Sequence, residues 1–255
     1  MIHETAIIDK TARIAKDVHI GPWSIIGADV EIGEGTWIGP HVVIQGPTKI
    51  GKENKIFQFA SIGEMSQDKK FRGERAFLEI GDRNIIREFC TFNRGTGLDS
   101  KTVIGHDNLF MAYVHIAHDC IVGNETIFAN NVTLAGHVIV DDYVVLGGFS
   151  GASQFCRIGA HVFVTMGAMV DKDVPPFVKV AGFNAKPFGL NTVGLKRRGF
   201  AADTLLYLRR AYKTIYRKSL TVKDALTHLQ TMLADCPDVQ AFIDFIQKSE
   251  RGIVR

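Results

Sequence analysis

The residues best suited to chemistry lie between positions 115 and 154: His115, His118, Asp119, Gly136, His137 and Gln154. An imidazole can take a proton from a hydroxyl near neutral pH, and a neighbouring carboxylate can fix its tautomer. His118 and Asp119 supply such a pair, and Gly136 would bare a backbone N–H able to stabilise a developing oxyanion. A second chemistry is open to the same stretch, a metal site made from His115, His118 and His137. A third reading is bland: histidines scattered over surface turns. The choice turns on whether the chain brings these residues to one place.

A six-residue repeat does so. Isoleucine stands at every sixth position from Ile2 to Ile62, and a smaller or polar residue follows four positions later, as in Ala6, Ala12, Val18 and Ser24. A period of six matches neither a helix nor an ordinary strand. It matches a solenoid of short strands with one large and one small inward residue per block, a parallel β-helix of hexapeptide repeats. Three blocks close one triangular coil, and coils stack at about 4.8 Å, the spacing of paired strands. Residues 18 apart therefore superpose, giving one column of His118, Gly136 and Gln154 and another of Asp119, His137 and Phe155. His115 stands one block edge earlier, so three histidines are expected at one outward corner.

The repeat breaks at Met65–Ala76 and again around Arg94–Lys101, both polar, and resumes in phase through Val170. These stretches read as loops on a stack of about nine or ten coils, and such projections commonly carry function. Pro175-Pro176 is expected to end the solenoid, because proline cannot donate to a strand ladder. Residues 177–190 read as an extended connector. Beyond it Ala202–Lys218 is amphipathic, Thr221 can cap a second helix through Leu233, and Pro237 can open a third. The expected division is a β-helix over 1–183 and a helical domain over 184–255, the helices capping the last coil.

With 46% hydrophobic and 22% charged residues the chain is of ordinary globular composition, not disordered. No apolar run is long enough to span a membrane. Glu4, Asp9 and Lys10 interrupt any leader-like core, so the cytoplasm is the expected compartment. Four cysteines without a CxxC pair speak against a disulfide framework or thiolate zinc site. Residues 1–175 carry 16 Lys/Arg against 21 Asp/Glu, net −5, whereas residues 176–255 carry 14 against 6, net +8. That basic end suggests an anionic partner, whose class charge alone leaves open. Aromatic residues recur at outward positions, among them Trp23, Phe59, Phe89, Tyr113, Tyr143, Phe149 and Phe155, and point to a subunit interface. Gly147-Gly148 and Gly151 lack the βαβ context of a dinucleotide fingerprint.

The segments His115–Cys120, Ala129–Asn131, Leu134–His137 and Gln154–Cys156, with Phe57–Glu64 and Gly194–Phe200, resemble the UDP-N-acetylglucosamine 3-O-acyltransferases that begin lipid A synthesis. The likeness spans essentially the whole chain. It implies a homotrimer of left-handed β-helices with active sites in grooves between neighbours, a hand the repeat alone does not dictate. It implies that His118 deprotonates a glucosamine 3-hydroxyl, which attacks a 3-hydroxyacyl thioester on acyl carrier protein while the Gly136 amide holds the oxyanion. Asp68, Lys70, His115, His137, Gln154, Asn191 and Arg197 match positions lining the substrate groove. No cofactor and no nucleic acid are expected, and the acidic carrier would suit the basic end.

Four positions depart from the family's usual residues: Asn93, Ser153, Phe183 and Val193. They leave open a 3-amino in place of a 3-hydroxyl acceptor. Met166 stands where several relatives that take longer chains have glycine, so a shorter acyl chain is expected here. The rivals are an N-acyltransferase of the next acylation step, which normally carries an extra N-terminal domain, a β-helical zinc carbonic anhydrase, and a non-catalytic hexapeptide scaffold.

Overall fold

The computed structural model describes all residues from Met1 to Arg255. Strands of two to four residues stack into three parallel ladders, the three faces of a prism. The first sheet runs from Ile7–Ile8 to Met169–Val170, the second from Arg13–Ile14 to Arg157–Ile158, and the third from His19–Ile20 to Val178–Ala181. Partners such as Ile7 and Ile25 or Ile116 and Leu134 keep the 18-residue register. Across the insertions Ile62 pairs with Phe92 and Ile80 with Ile104, so each insertion is looped out and the ladder closes over it.

From Ile20 onward the large phase points inward and is essentially inaccessible, as are the small partners Val18, Ser24 and Val30. The first coil has nothing beneath it, which leaves Ile2 48% exposed. Coils approach so closely at the corners that a Cβ on Gly33 would sit 2.7 Å from the Gly51 carbonyl oxygen. The third residue of most corners adopts a left-handed conformation, even where it is aromatic: Trp23, Phe59, Phe89 and Tyr113 have φ of 55°, 62°, 60° and 65°. Stacking offsets that cost, since Trp23, His41, Phe59, Phe89 and Tyr113 form one exposed column with ring centroids 4.8–5.2 Å apart. The outward aromatics do not form one face, however. Tyr143 lies at another corner beneath Arg198, and Phe155 at the third, stacked on His137.

The opposite corner holds a buried polar ladder. Asn54 Oδ1 accepts from the backbone and side-chain N–H groups of Asn84, whose own Oδ1 accepts from both of Asn108. Asn108 Oδ1 in turn accepts from Thr126 N–H and Oγ1–H.

The paired prolines do not stop the solenoid. They occupy a corner where no ladder donor is required: Val174 still bridges Ile158, and Val178–Ala181 pairs in parallel with Phe163–Val164. The expected connector is a hairpin, in which Lys186–Leu190 folds back antiparallel on Val178–Ala181. A short helix, Thr192–Arg197, follows, then Ala202–Tyr216, Val222–Gln230 capped by Thr221, a 3-10 turn at Pro237–Val239, and Gln240–Gln247. None is long and apolar enough to cross a membrane. The helices close over the last coil, with Phe242 against Phe177 at 5.5 Å and Ser249 Oγ–H donating to Asp173. One hydrophobic core therefore runs from Val18 to Val254.

Replacing Asn84 by alanine would leave the buried Asn108 backbone N–H without its acceptor and take one of two partners from Asn54 Oδ1 and one from the Asn108 side-chain amide, at about 1–3 kcal/mol for a group left unsatisfied. Denaturant unfolding should show a loss of about 2 kcal/mol or more; an unchanged midpoint would mean that the ladder does not contribute.

Candidate active site

The corner between the first and second sheets carries the site. His118 follows the strand His115–Ile116, and its ring lies outside the prism but is only 5% exposed. The sequence suggested an outward corner side chain. The first loop covers it, bringing Asp68 Oδ2 to 3.7 Å from His118 Nε2. On the other side of the ring His118 Nδ1–H donates to Asp119 Oδ2 at 2.8 Å, the one direction open when a carboxylate can only accept. That hydrogen bond fixes the tautomer and leaves Nε2 as the basic nitrogen.

Gly136 lies directly above, as the 18-residue column requires. A Cβ there would fall 2.4 Å from His118 Cε1, so glycine is needed to seat the ring. The Gly136 N–H donates to no acceptor within the chain. At the corner between the second and third sheets, equivalent amides of Lys52, Asp82, His106 and Asn124 are each capped by a side chain of the next coil. The contrast leaves Gly136 as a free donor beside the imidazole, which is the geometry of an oxyanion site.

His137 stacks on Phe155 at 4.7 Å and meets His118 edge-on at 5.2 Å, with Nε2 3.6 Å from Asp119 Oδ2. Gln154 occupies the next level of the column and is exposed. His115 does not join the corner cluster. It faces outward from the first sheet, its Nδ1 2.7 Å from Thr91 Oγ1, and burial lowers its pKa. The groups close enough to share a cation are His118, Asp119 and His137, so the alternative triple of His115, His118 and His137 is not assembled.

In the first loop, Asp68 is held ionised to lower pH than usual, chiefly by the Lys70 backbone N–H, with burial opposing and His118 assisting. The Lys70 side chain is exposed. Of the departing positions, Asn93 is buried and donates to the Met65 carbonyl at 2.9 Å, bracing that loop, whereas Ser153, Phe183 and Val193 are exposed.

Asn191 and Arg197 are not brought to His118 within one chain. Asn191 caps the helix Thr192–Arg197 and donates to the His161 carbonyl at 2.9 Å. With Arg197 it borders a cavity of about 610 Å³ on the third sheet, floored by Ile127, Val145 and Phe163. The first sheet bears a trough of about 480 Å³ lined by Thr133, Phe149, Gly151 and Met169. Met166 projects at the neighbouring corner, 75% exposed. Met169 was missed in the sequence, although three steps of 18 from His115 reach it through Thr133 and Gly151.

Comparisons with known proteins place the fold in a family. Residues 29–64 and 101–136 match the bacterial transferase hexapeptide family, and residues 173–254 match domain 2 of Udp N-acetylglucosamine O-acyltransferase. The acyl-[acyl-carrier-protein]--UDP-N-acetylglucosamine O-acyltransferase of Thiobacillus denitrificans is 56% identical over 255 residues, covering 100% of this chain and 99% of its own. Among solved structures, LpxA from Acinetobacter baumannii matches with a TM-score of 0.97 and 49% identity over 100% of this chain and 99% of its own. The UDP-N-acetylglucosamine O-acyltransferase of Moraxella catarrhalis matches at 0.97 and 47%, with the same coverage. Fold and site together define a left-handed β-helical acyltransferase of the hexapeptide-repeat class. Within that class, the chain belongs to the acyl-[acyl-carrier-protein]--UDP-N-acetylglucosamine O-acyltransferase family.

Gly136→Ala should displace the His118 ring, and a misplacement of about 1 Å commonly costs on the order of 100-fold in rate. Transferase assays beside thermal melts check this: activity should fall by about that factor with the melt retained, whereas a native rate would detach the seat of the ring from catalysis.

Proposed function

We propose that this chain moves a 3-hydroxyacyl group from acyl carrier protein to the 3-position of UDP-N-acetylglucosamine, opening lipid A synthesis, with His118 as general base. The observation that carries the reading is the His118–Asp119 contact of 2.8 Å beside the unpaired Gly136 N–H. His118 Nε2 takes the proton of the sugar hydroxyl as its oxygen attacks the thioester carbonyl. The tetrahedral oxyanion forms against the Gly136 amide, and its collapse breaks the C–S bond. The proton held on His118 then passes to the departing thiolate of the carrier. Asp119 holds the ring and balances the imidazolium.

Asp68 and His137 at the corner, with Lys70, Gln154 and, from the adjoining face, His115, are assigned to the sugar nucleotide and the thioester. Asn191 and Arg197 sit on the third sheet of the same chain, so their substrate role requires a second copy to present them. That division, with the exposed aromatic column, supports a homotrimer. The basic end, net +8, suits the acidic carrier protein, and the proposed compartment is the cytoplasm.

Incubation of the protein with UDP-N-acetylglucosamine, its 3-amino analogue and a series of carrier-bound 3-hydroxyacyl thioesters, with products identified by mass, tests the reaction and the nucleophile together. His118→Ala should lower the rate at least about 100-fold, the usual scale of general-base catalysis, with trimer and melting temperature retained. Acyl transfer surviving that substitution would end the assignment.

Met166 is proposed to close the far end of the acyl groove. Each methylene admitted by shortening it is worth about 0.8 kcal/mol when buried. Met166→Gly should therefore move the preference in kcat/KM toward longer chains; an unmoved preference would place the end wall elsewhere, with Met169 the next candidate.

A further inference from the structure

The two insertions are joined to each other above the site, through residues that no functional assignment has used. Thr96, in the second loop, donates its backbone N–H to Asp119 Oδ2 at 3.1 Å, the same oxygen that accepts from His118. Its hydroxyl lies 2.6 Å from the hydroxyl of Ser66, in the first loop. Ser66 Oγ also accepts the backbone N–H of Asp68 at 3.2 Å, and the Asp68 carboxylate returns to His118 Nε2 at 3.7 Å. The contacts close a ring: Thr96, Asp119, His118, Asp68, Ser66 and back to Thr96. Ser66 is 6% exposed, so water competes poorly for the hydroxyl pair. Gly95 lets the loop backbone come this near, since a Cβ there would lie 2.8 Å from Asp119 Oδ1. From below, Thr102 Oγ1 accepts the Asp119 N–H at 2.8 Å, so Asp119 is held from the coil as well as from the loop.

We propose that Thr96 and Ser66 form a clasp that positions the His118–Asp119 pair by fixing both loops against it. The assignment rests on His118 being the base. Neither residue meets the reacting atoms, so both are positioning residues. Each ring nitrogen of His118 faces a carboxylate borne or steadied by one of the loops. Loops are the parts of a solenoid that its ladder does not order. Released from each other, they would let Asp119 and Asp68 move independently, and the imidazole would lose its fixed tautomer and aim.

The test uses the full chain with Thr96→Val, Ser66→Ala, the double variant, Thr96→Ser, and His118→Ala as reference. Each single loss should lower kcat by about tenfold, as expected for a misaimed base, with KM for the sugar nucleotide changed less than about twofold. The double variant should be no worse than either single one, because both remove the same contact. Thr96→Ser, which keeps the hydroxyl, should restore kcat to within about twofold of native. A merely structural role would lower the melting temperature in step with the rate and would gain nothing from the conservative serine. A native kcat in Thr96→Val, multiplied losses in the double variant, or a serine variant as impaired as the valine would each overturn the clasp. If Thr96→Val does not fold, Ser66→Ala reads the contact from the other loop, and a native kcat there overturns it equally. Failure of the base assignment looks different, because His118→Ala would then stay active.

Discussion

The constraint on which the molecule depends is the parallel ladder that locks every coil 18 residues above the one before it. Strands of two residues cannot hold a register by their own length. The register is held because a slip of one residue would turn the inward isoleucines out and the polar corners in. From Ile20 to Val170 every inward position obeys it, including positions on either side of both insertions. The buried Asn54, Asn84 and Asn108 write the same register in hydrogen bonds, each amide seated on the one below. A chain held this way cannot choose which corner residues meet. That is why Gly136 stands over His118, and why glycine at that level makes room for an imidazole, while its own N–H has no acceptor because no side chain of the next coil caps it.

Because register is simple arithmetic in a solenoid, much of the site was legible in the sequence. The column of His118 and Gly136, and the neighbouring column of Asp119, His137 and Phe155, follow from adding 18 to a residue number. What failed were inferences that needed more than a column. His115 looked like a corner residue but faces out from a strand toward Thr91, because three positions of separation is half a block, the step from a face of the prism to its corner. The outward aromatics looked like one surface and are spread over three corners. Pro175 and Pro176 looked like a stop but lie in a turn, where the missing N–H is not needed. The cover over His118 was beyond reach for a different reason. Loops have no period, so no spacing places Ser66, Asp68 and Thr96 beside one another.

That difference in legibility follows the division of labour in the site. In the proposed mechanism oxyanion stabilisation needs a donor that does not reorganise as charge develops, and the Gly136 amide meets that need because a corner is anchored to the ladders on both sides. In the proposed mechanism proton transfer needs a base whose aim is set from two directions; one corner supplies Asp119, and the first insertion brings Asp68 to the other side of the ring. Regularity gives the floor, and its interruptions give the walls.

The same lattice sets a length. Outward from the first sheet, His115, Thr133, Gly151 and Met169 lie one above another, so three coil spacings, about 14 Å, separate the level of the base from that of Met169. Between them the face falls from histidine and threonine to glycine, and the trough opens where the side chain vanishes. An extended chain laid along this face would meet a side chain at each coil, and its reach would be limited by whichever coil first presents a bulky one. Changing that limit requires no change in fold, only a different residue at one level of a column whose register is already fixed. In the proposed trimer the groups opposite belong to another copy, where Asn191 and Arg197 border the cavity over the third sheet. Under that proposal the base and the end wall of the acyl groove belong to one chain, and Asn191 and Arg197 come from the next.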